Sequence, residues 1–528
     1  FGIRCFVCGT ENGLVVYGRH FWTRSVQKFG CRPCGRALEI EIMEYLLLFI
    51  GLCLVFRFGR VPVRAVAFAA VCLWGAYEAA YGLLQILGLR PSLNPAFVLT
   101  GHFENPGPYG GFIAMTMAVS GAYLMRFWRR RRGFYRAVMF GIAVLNFTLG
   151  LLVLPASMSR AAWVALVASL LLSLLMDRRL RTWIHRHLLL CGVLAGLALI
   201  AVGGAFMMKR DSALGRLHIW RIEAIAISEH PLGTGPGTAL GTYGKTQEQF
   251  FRERLHDVPE SVVRVAGCPE FPFNEYLGIG MEFGVPGLVL SLIVMAWAIF
   301  VLVRRRDLMA SGLIAWAVFA LASYPLSVVQ TSVLLLVFLA SAVPSWNRAA
   351  SGRKNICQRA IAVAGAAVAL FTVMHPSRLE GGLMDRSAYR ELYGRGYLLY
   401  QSGQYEESYE VLERGSQISS DPMFHVIMGR NSEALGDNVS AEDEYLTAWY
   451  MVPCRIYPLV RLMRLKIRCG DNAGAVLIGE KIVSMPVREG HRNMLRLKNE
   501  AAASLDSLIY LQAANKSGSC GLSLFRPG

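Results

Sequence analysis

Charged residues are scarce in this sequence: they make up 17% of its 528 residues, against about 25% in soluble domains. Hydrophobic residues make up 54%, and they stand in long runs rather than in periodic stripes. The shortage of charge therefore excludes an ordinary soluble domain and predicts membrane spans. Acidic residues are scarcer than basic ones, so the net charge is +18. Because the basic clusters lie between apolar runs, where the positive-inside rule places them, we do not expect nucleic-acid binding.

The start of the sequence lacks the basic segment, apolar stretch and cleavage site of a secretion signal. The chain begins with Phe1, and Met43 stands just before the first apolar run. We therefore expect residues 1–42 to be an incomplete or misassigned N-terminus. This segment holds two Cys-x-x-Cys pairs with zinc-ribbon spacing. The alternative is that they bind no zinc, because they would lie outside the cytoplasm, where thiols oxidise. The pairs are Cys5, Cys8, Cys31 and Cys34.

Apolar runs between residues 43 and 375 predict about ten transmembrane helices of roughly 17–25 residues each. They lie near 43–57, 64–88, 109–126, 134–156, 161–176, 188–208, 275–303, 308–322, 326–345 and 358–375. The basic loops between them all fall on one side, which is then the cytoplasm. These loops are 126–136, 177–187, 304–307 and 347–359. The other side of the membrane receives 101–110, 157–163, 209–272 and everything after residue 375.

The polar loop at 209–272 is long for a membrane protein, and loops of this length usually serve a function. It carries five arginines, which indicate an anionic substrate such as a phosphate, because guanidinium groups bind phosphate bidentately. Arg216 and Arg221 are the sharpest candidates. The glycine-rich segment 231–237 that follows them is either a phosphate cradle or an ordinary turn. The five arginines are Arg216, Arg221, Arg252, Arg254 and Arg264.

Three further segments carry chemistry-bearing residues at the predicted outer surface. In 101–115, His102 and Asn105 are candidates for substrate contact, with a helix cap as the alternative. Arg160, at a turn between two spans, breaks the charge rule, which favours phosphate contact over simple interfacial anchoring. Asn274 and Glu275 open the seventh span. Glu275 is either a helix-capping residue or a general base for an acceptor hydroxyl.

Residues 376–528 have helical periodicity without apolar runs. Gly403, Gly436 and Gly470 recur at spacings of 33 and 34 residues, and small residues follow each of them by five positions. This pattern resembles tetratricopeptide repeats, which usually bind proteins or peptides and carry no chemistry themselves. The alternative is an ordinary helical domain. We therefore predict an all-α chain, with a polytopic bundle at 43–375 and helical repeats at 376–528.

Four segments occur in an order that resembles the O-antigen ligase and polymerase superfamily of bacterial membranes, over roughly residues 80–345. They are GHFENPGPYGGFIAM at 101–115, SRAAW at 159–163, GRLHIW through PLGTGPG at 215–237, and FNEYLGIGMEFGVPG at 273–287. The trailing repeats, with MVPCRIYP at 451–458 and MPVRE at 485–489, look like those of Bacteroidetes-type members.

The resemblance implies a glycosyltransferase that moves a glycan from an undecaprenyl-diphosphate carrier to a periplasmic acceptor, without a metal or cofactor. Arg160 and Arg216 match arginines that hold the diphosphate, and Asn274 matches the Asn of a His-Asn pair. Phe273 stands where the His would be, which leaves Glu275 as a candidate base. Arg160, Arg216 and Glu275 are thus the predicted catalytic residues, and His102, Asn105, Arg221 and Asn274 the predicted substrate contacts.

The acceptor is left open between a lipid A core, a growing glycan and a protein side chain, and a periplasmic protein partner would fit the repeats. A transporter of lipid-linked sugars is the alternative from another class. It would place charges along the spans, where Glu78 is the clearest one, and would show duplicated halves. A membrane-anchored scaffold would leave the arginine loop unexplained.

Overall fold

The structure is a computed structural model, and it describes residues 34–59, 62–127, 133–176, 186–187, 210–345, 361–370, 383–384, 386–486 and 492–521. These residues form helices and turns, and no strand occurs among them, which confirms the all-α prediction. The predicted zinc pairs lie outside the described residues, except that Cys34 opens the first helix without a described side chain.

The helices are numbered here in chain order. They are α1 Cys34–Phe58, α2 Val63–Ile86, α3 Pro106–Phe127, α4 Phe134–Val153, α5 Arg160–Met176, α6 Arg210–Glu229, α7 Ala239–Arg254, α8 Glu260–Val265, α9 Glu275–Arg305, α10 Met309–Ala320, α11 Val329–Ser341, α12 Ile361–Leu370, α13 Tyr389–Gln401, α14 Tyr405–Ser416, α15 Met423–Leu435, α16 Asn438–Met451, α17 Tyr457–Arg468, α18 Asn472–Ser484 and α19 Arg492–Gly521. A short 3₁₀ turn, Pro325–Ser327, precedes α11.

The chain divides into two compact units, which are described separately. The first unit comprises Phe1–Ala205, Phe271–Gly280 and Val285–Asp385. The second unit comprises Phe206–Glu270, Met281–Gly284 and Arg386–Gly528. The polar loop that the sequence analysis singled out thus belongs, up to Glu270, to the same unit as the C-terminal helices.

Helix α3 is the centre of the first unit. Its residues from Pro108 to Tyr123 are all buried, and α2, α4, α5 and α10 pack around it. Glycines allow these close approaches, because a side chain at Gly75, Gly111 or Gly121 would collide with the facing helix. The packing explains why a helix in the middle of an apolar bundle is rich in small residues.

The predicted spans coincide with helices wherever the structure describes them, and 188–208 lies outside the described residues. Among the described helices, α2, α4 and α9 are long and apolar enough to cross a membrane. Helices α5, α10, α11 and α12 are apolar but shorter. These apolar helices therefore support a membrane protein. The count of about ten spans stays a prediction.

Helices α13 to α18 of the second unit are short, and each packs against the next in the chain. Gly403, Gly436 and Gly470 all have positive φ, of 82°, 84° and 76°. The small residues that follow them by five positions are fully buried, and they are Ser408, Ala441 and Ala475. The aligned positions thus have the same role in successive helix pairs, while the tetratricopeptide type itself stays a prediction.

Candidate active site

His102 lies in the loop between α2 and α3, against a buried carboxylate. Its ring Nδ1 is 3.1 Å from both carboxylate oxygens of Glu78, and its backbone N–H donates to Oε2 of the same side chain at 3.3 Å. The Glu78 side chain is 4% exposed and the His102 side chain 36%. Because an ionised carboxylate only accepts hydrogen bonds, neutral His102 carries its proton on Nδ1 and presents Nε2 as an acceptor.

Neighbouring side chains fix the orientation of His102. Its ring stacks on Tyr81 with centroids 4.0 Å apart and lies nearly parallel to Tyr77 at 5.4 Å. Its carbonyl accepts a hydrogen bond from Nε2 of Gln330 on α11 at 3.1 Å. Within the described part of the chain, no group bonds to Nε2. The imidazole is therefore held rigidly with one nitrogen available.

The loop reaches Glu78 because Gln85 of α2 binds its backbone. The Gln85 Oε1 accepts from the N–H groups of Thr100 and Gly101 at 3.1 and 2.8 Å, and Nε2 donates to the carbonyl of Gly101 at 3.3 Å. Gly101 has φ +59°, and a side chain there would collide with the Tyr109 ring. Sequence reasoning found His102 but missed Gln85 and the role of Glu78, because these contacts join distant parts of the sequence.

The two predicted asparagines cap helices. Oδ1 of Asn105 accepts from the N–H of Gly107 at 2.9 Å in the first turn of α3. Oδ1 of Asn274 accepts from the N–H groups of Tyr276 and Leu277 at 3.0 and 3.3 Å at the start of α9. These are standard N-cap contacts. Substrate contact by either residue stays a prediction.

Glu275 is fully buried. Its Oε1 accepts from the backbone N–H of Leu326 at 3.2 Å. The capping alternative for Glu275 is wrong, because Asn274 supplies the cap of α9 and the Glu275 carboxylate holds a different segment. That segment, the 3₁₀ turn, leads into α11, whose Gln330 holds the His102 carbonyl. The base alternative stays a prediction.

Phe273, the residue in the position of the expected histidine, belongs to an aromatic cluster. Its ring meets Tyr324 edge to face at 5.9 Å, and Phe271 stacks on the same tyrosine at 4.1 Å. Tyr324 immediately precedes the 3₁₀ turn that Glu275 holds. The segment that enters α9 is therefore built for packing, and Phe273 itself carries no group that could accept a proton.

Arg160 is the first residue of α5. The preceding turn packs against Gly110 of α3, where a side chain would lie 2.7 Å from Ser157 Oγ and 2.9 Å from Ser159 Cβ. Tyr109, the residue before Gly110, packs against the loop of His102. The structure thus brings the Arg160 turn and the His102 loop to the same end of α3.

Arg216 and Arg221 lie on α6 in the second unit. Arg221 is exposed, and its guanidinium carbon is 5.0 Å from the ring centre of Phe250. Arg254 approaches the same ring at 5.8 Å. Arg264, in contrast, pairs with Asp211 at 3.1 Å. Of the seven predicted site residues, Arg216 and Arg221 are in the second unit. The other five are in the first unit, and they are His102, Asn105, Arg160, Asn274 and Glu275.

His218, between the two arginines of α6, is a buried structural residue. Its Nε2 is 3.0 Å from Oε1 of Gln247, whose Nε2 donates to the carbonyls of Gly267 and Met451. The Gln247 amide oxygen therefore faces the ring, and His218 carries its proton on Nε2. Burial lowers the pKa of His218 from 6.5 to about 4. The network connects α6 and α7 to Gly267 and to the last residue of α16, and it was not evident from the sequence.

The glycine-rich segment 231–237 closes a break in α9. Gly284 has φ +68° and ψ −172° inside that helix, and Pro286 has no N–H for the carbonyl of Glu282. The N–H groups of Thr234 and Gly235 donate to the carbonyls of Met281 and Glu282, each at 3.0 Å. The segment is thus a partner for a broken helix, and these contacts support the alternative of a structural turn over a phosphate cradle.

The side chain of Glu282 forms a fully buried ion pair. Its Oε1 lies 2.7 Å from Nε of Arg386, and the two side chains are 1% and 0% exposed. Arg386 was not singled out by sequence reasoning, because a lone arginine after the last apolar run gives no signal of a partner about a hundred residues earlier. The pair connects the start of the C-terminal region to the break in α9.

Comparison with known proteins identifies part of the chain. Residues 145–292 match a family model described as O-antigen ligase. No curated protein matches the chain. The match contains three of the four segments that carried the resemblance, and the 101–115 segment precedes it. The Bacteroidetes type stays a prediction. Residues 145–292 are therefore similar to an O-antigen ligase domain, and this match supports a membrane glycosyltransferase of the O-antigen ligase and polymerase superfamily.

Proposed function

We propose that this protein transfers a glycan from an undecaprenyl-diphosphate carrier to an acceptor, with a lipid A core as the first choice of acceptor. The observation that carries the proposal is the O-antigen ligase match at 145–292. Both arginines that the resemblance assigns to the diphosphate, Arg160 and Arg216, lie inside it.

The proposed glycan transfer requires stabilisation of the negative charge that develops on the leaving group. A glycosyl diphosphate is already activated, and the departing diphosphate gains negative charge as the glycosidic bond breaks. Arginine forks offer two parallel N–H donors to phosphate oxygens. Arg160 stands at the first position of α5, where the N–H groups of a helix start also favour anions. Arg221 and Arg254 add positive charge on α6 and α7.

We further propose that the transfer takes place at the periplasmic face of the bacterial inner membrane, with residues 209–272 and 376–528 in the periplasm. The support is the agreement of the four basic loops. Single cysteines introduced at exposed sites into a cysteine-free variant test this with a membrane-impermeant label in intact cells. Labelling at Glu253 and protection at Phe134 is expected, and the reverse pattern would contradict the orientation.

Comparison of glycoconjugates from wild-type cells and cells lacking the gene tests the activity. Loss of polymer from lipopolysaccharide, with accumulation of the carrier-linked glycan, is the expected result. A changed chain length would identify a polymerase, and loss of glycan from proteins would identify a protein oligosaccharyltransferase. An unchanged set of glycoconjugates and an unchanged donor pool would contradict the proposal.

A further inference from the structure

Glycan transfer to a hydroxyl requires a group that takes the hydroxyl proton. Glu275 is poorly suited, because its carboxylate is fully buried and holds the N–H of Leu326. His218 is also unsuited, because it is buried, its Nε2 is engaged by Gln247, and burial lowers its pKa to about 4. In the first unit, His102 offers an imidazole that is both oriented by its neighbours and partly accessible.

We propose that His102 is the general base of the transfer reaction and that Glu78 is its positioning residue. This inference rests on the proposed function. Three observations carry it: the two 3.1 Å contacts between Nδ1 and the Glu78 carboxylate, the tyrosines that fix the ring, and the 36% exposure of the histidine against 4% for the glutamate. A carboxylate on one ring nitrogen fixes the tautomer and stabilises the imidazolium that forms.

Nε2 of His102 takes the proton of the acceptor hydroxyl while the hydroxyl oxygen attacks the anomeric carbon of the glycan. The bond from that carbon to the diphosphate oxygen breaks, and its electron pair leaves with the diphosphate. The imidazolium then returns its proton to solvent. No redox change occurs, and Glu78 keeps its charge throughout.

The position of His102 agrees with this role. Its loop and the Arg160 turn border the same end of α3, on Tyr109 and Gly110 respectively. The loop that carries His102 and the turn that precedes Arg160 thus pack on adjacent residues of one helix. The loop itself is fixed by Gln85 and Gln330, so the imidazole requires little ordering when substrate binds.

A second histidine–glutamate pair provides a matched control. In the second unit, Nδ1 of His425 is 2.7 Å from Glu444, and their side chains are 18% and 12% exposed. This pair joins α15 and α16, and Tyr409 also donates to Glu444. It has the same chemistry as the proposed pair, but its histidine is less exposed and lies among the C-terminal helices. His425→Asn should therefore leave transfer unchanged.

The decisive variant is His102→Asn in the full-length protein. The Asn amide N–H replaces Nδ1–H as a donor to Glu78, so the loop keeps its anchor while the base is lost. The donor is the carrier-linked glycan extracted from cells lacking the gene, and the acceptor is the envelope fraction of the same cells. We expect kcat to fall by about 10²–10⁴-fold, with unchanged thermal stability and donor KM.

Glu78→Gln supplies an independent readout. Tyr77, Tyr81 and Glu78 face the ring from α2, and neutral Gln330 faces the loop from α11. Glu78 is thus the charged group in contact with the ring. Its replacement should lower kcat about tenfold or more while donor KM and thermal stability stay unchanged, because the imidazole loses the carboxylate that orients it. A purely structural pair would lower thermal stability and leave kcat unchanged.

The outcomes separate the two levels of the argument. Wild-type rates for His102→Asn, or a wild-type kcat for Glu78→Gln, would overturn the base assignment and leave the glycosyltransferase proposal intact. Absence of transfer by the wild-type protein from the carrier-linked donor would overturn the proposed function and this inference together.

Discussion

Two glutamates stand in apolar helices of this chain, each paired with a basic side chain, and they differ in the exposure of that partner. Glu78 of α2 meets His102, which is 36% exposed, whereas Glu282 of α9 meets Arg386, which is fully buried. A buried arginine remains charged and cannot exchange its proton, so the second pair can only hold structure. A histidine at the surface can take and return a proton, so the first pair can also serve chemistry.

The largest effect expected on stability comes from breaking the buried pair. Arg386→Ala leaves the Glu282 carboxylate buried without this partner, which typically costs about 3–5 kcal/mol. Thermal unfolding in detergent, followed by helical circular dichroism, measures the loss. The control is Arg390→Ala, because Arg390 pairs with Glu270 at 2.9 Å with both side chains more than 40% exposed. Such exposed pairs contribute about 0–1 kcal/mol. Equal losses in the two variants would contradict the distinction.

A second prediction concerns the effect of burial on the pKa of a histidine and on the pH dependence of stability. The pKa of His218 is about 4 in the folded protein, below its usual 6.5. Between these values the unfolded chain holds a proton that the folded chain lacks, so stability falls as pH drops from 6.5 to 4. The full effect is roughly 3 kcal/mol, at about 1.4 kcal/mol per unit of pKa.

His218→Gln should remove this dependence, because glutamine can still donate to Gln247 but does not titrate. The stability difference between wild type and variant should be constant above pH 7 and should change in favour of the variant below pH 6.5. His256→Gln, at an exposed position of the same unit, should leave the wild-type pH dependence intact. A difference that is independent of pH would show that His218 titrates normally.

The smallest effect is expected at Glu275. Glutamine keeps an oxygen that can accept from the N–H of Leu326, so Glu275→Gln should cost about 1 kcal/mol of stability, as a neutral acceptor replaces a charged one. Turnover should stay near normal. If Glu275 were the general base, the same change would lower transfer by about 10²–10⁴-fold with little change in stability. Steady-state transfer and thermal unfolding on this variant distinguish the two roles.

The sequence was informative where the signal is local. Apolar runs predicted the helices of the bundle, because hydropathy alone decides which segments lie in a membrane. Aligned glycines such as Gly436 predicted the turns of the C-terminal helix pairs, because positive φ favours glycine.

The sequence was uninformative where hydrogen bonds join two segments that are distant in the chain. The segment 231–237 read as a turn of unknown purpose, and only the structure shows that its N–H groups satisfy carbonyls freed by the break at Gly284. Glu78 and Gln85 looked like isolated polar residues in a span for the same reason. Both side chains form hydrogen bonds with the His102 loop. Sequence periodicity does not predict hydrogen bonds between such distant residues.

The central claim is that arginines of the O-antigen ligase domain hold a diphosphate as it leaves. Its most direct test is the rate at which purified protein removes glycan from the carrier-linked donor, measured for wild type, Arg160→Lys and Arg216→Lys. Lysine keeps the charge but cannot form the bidentate fork, so both variants should transfer glycan at least about tenfold more slowly. Wild-type rates in both lysine variants would contradict the claim and reduce the two arginines to anchors at the membrane surface.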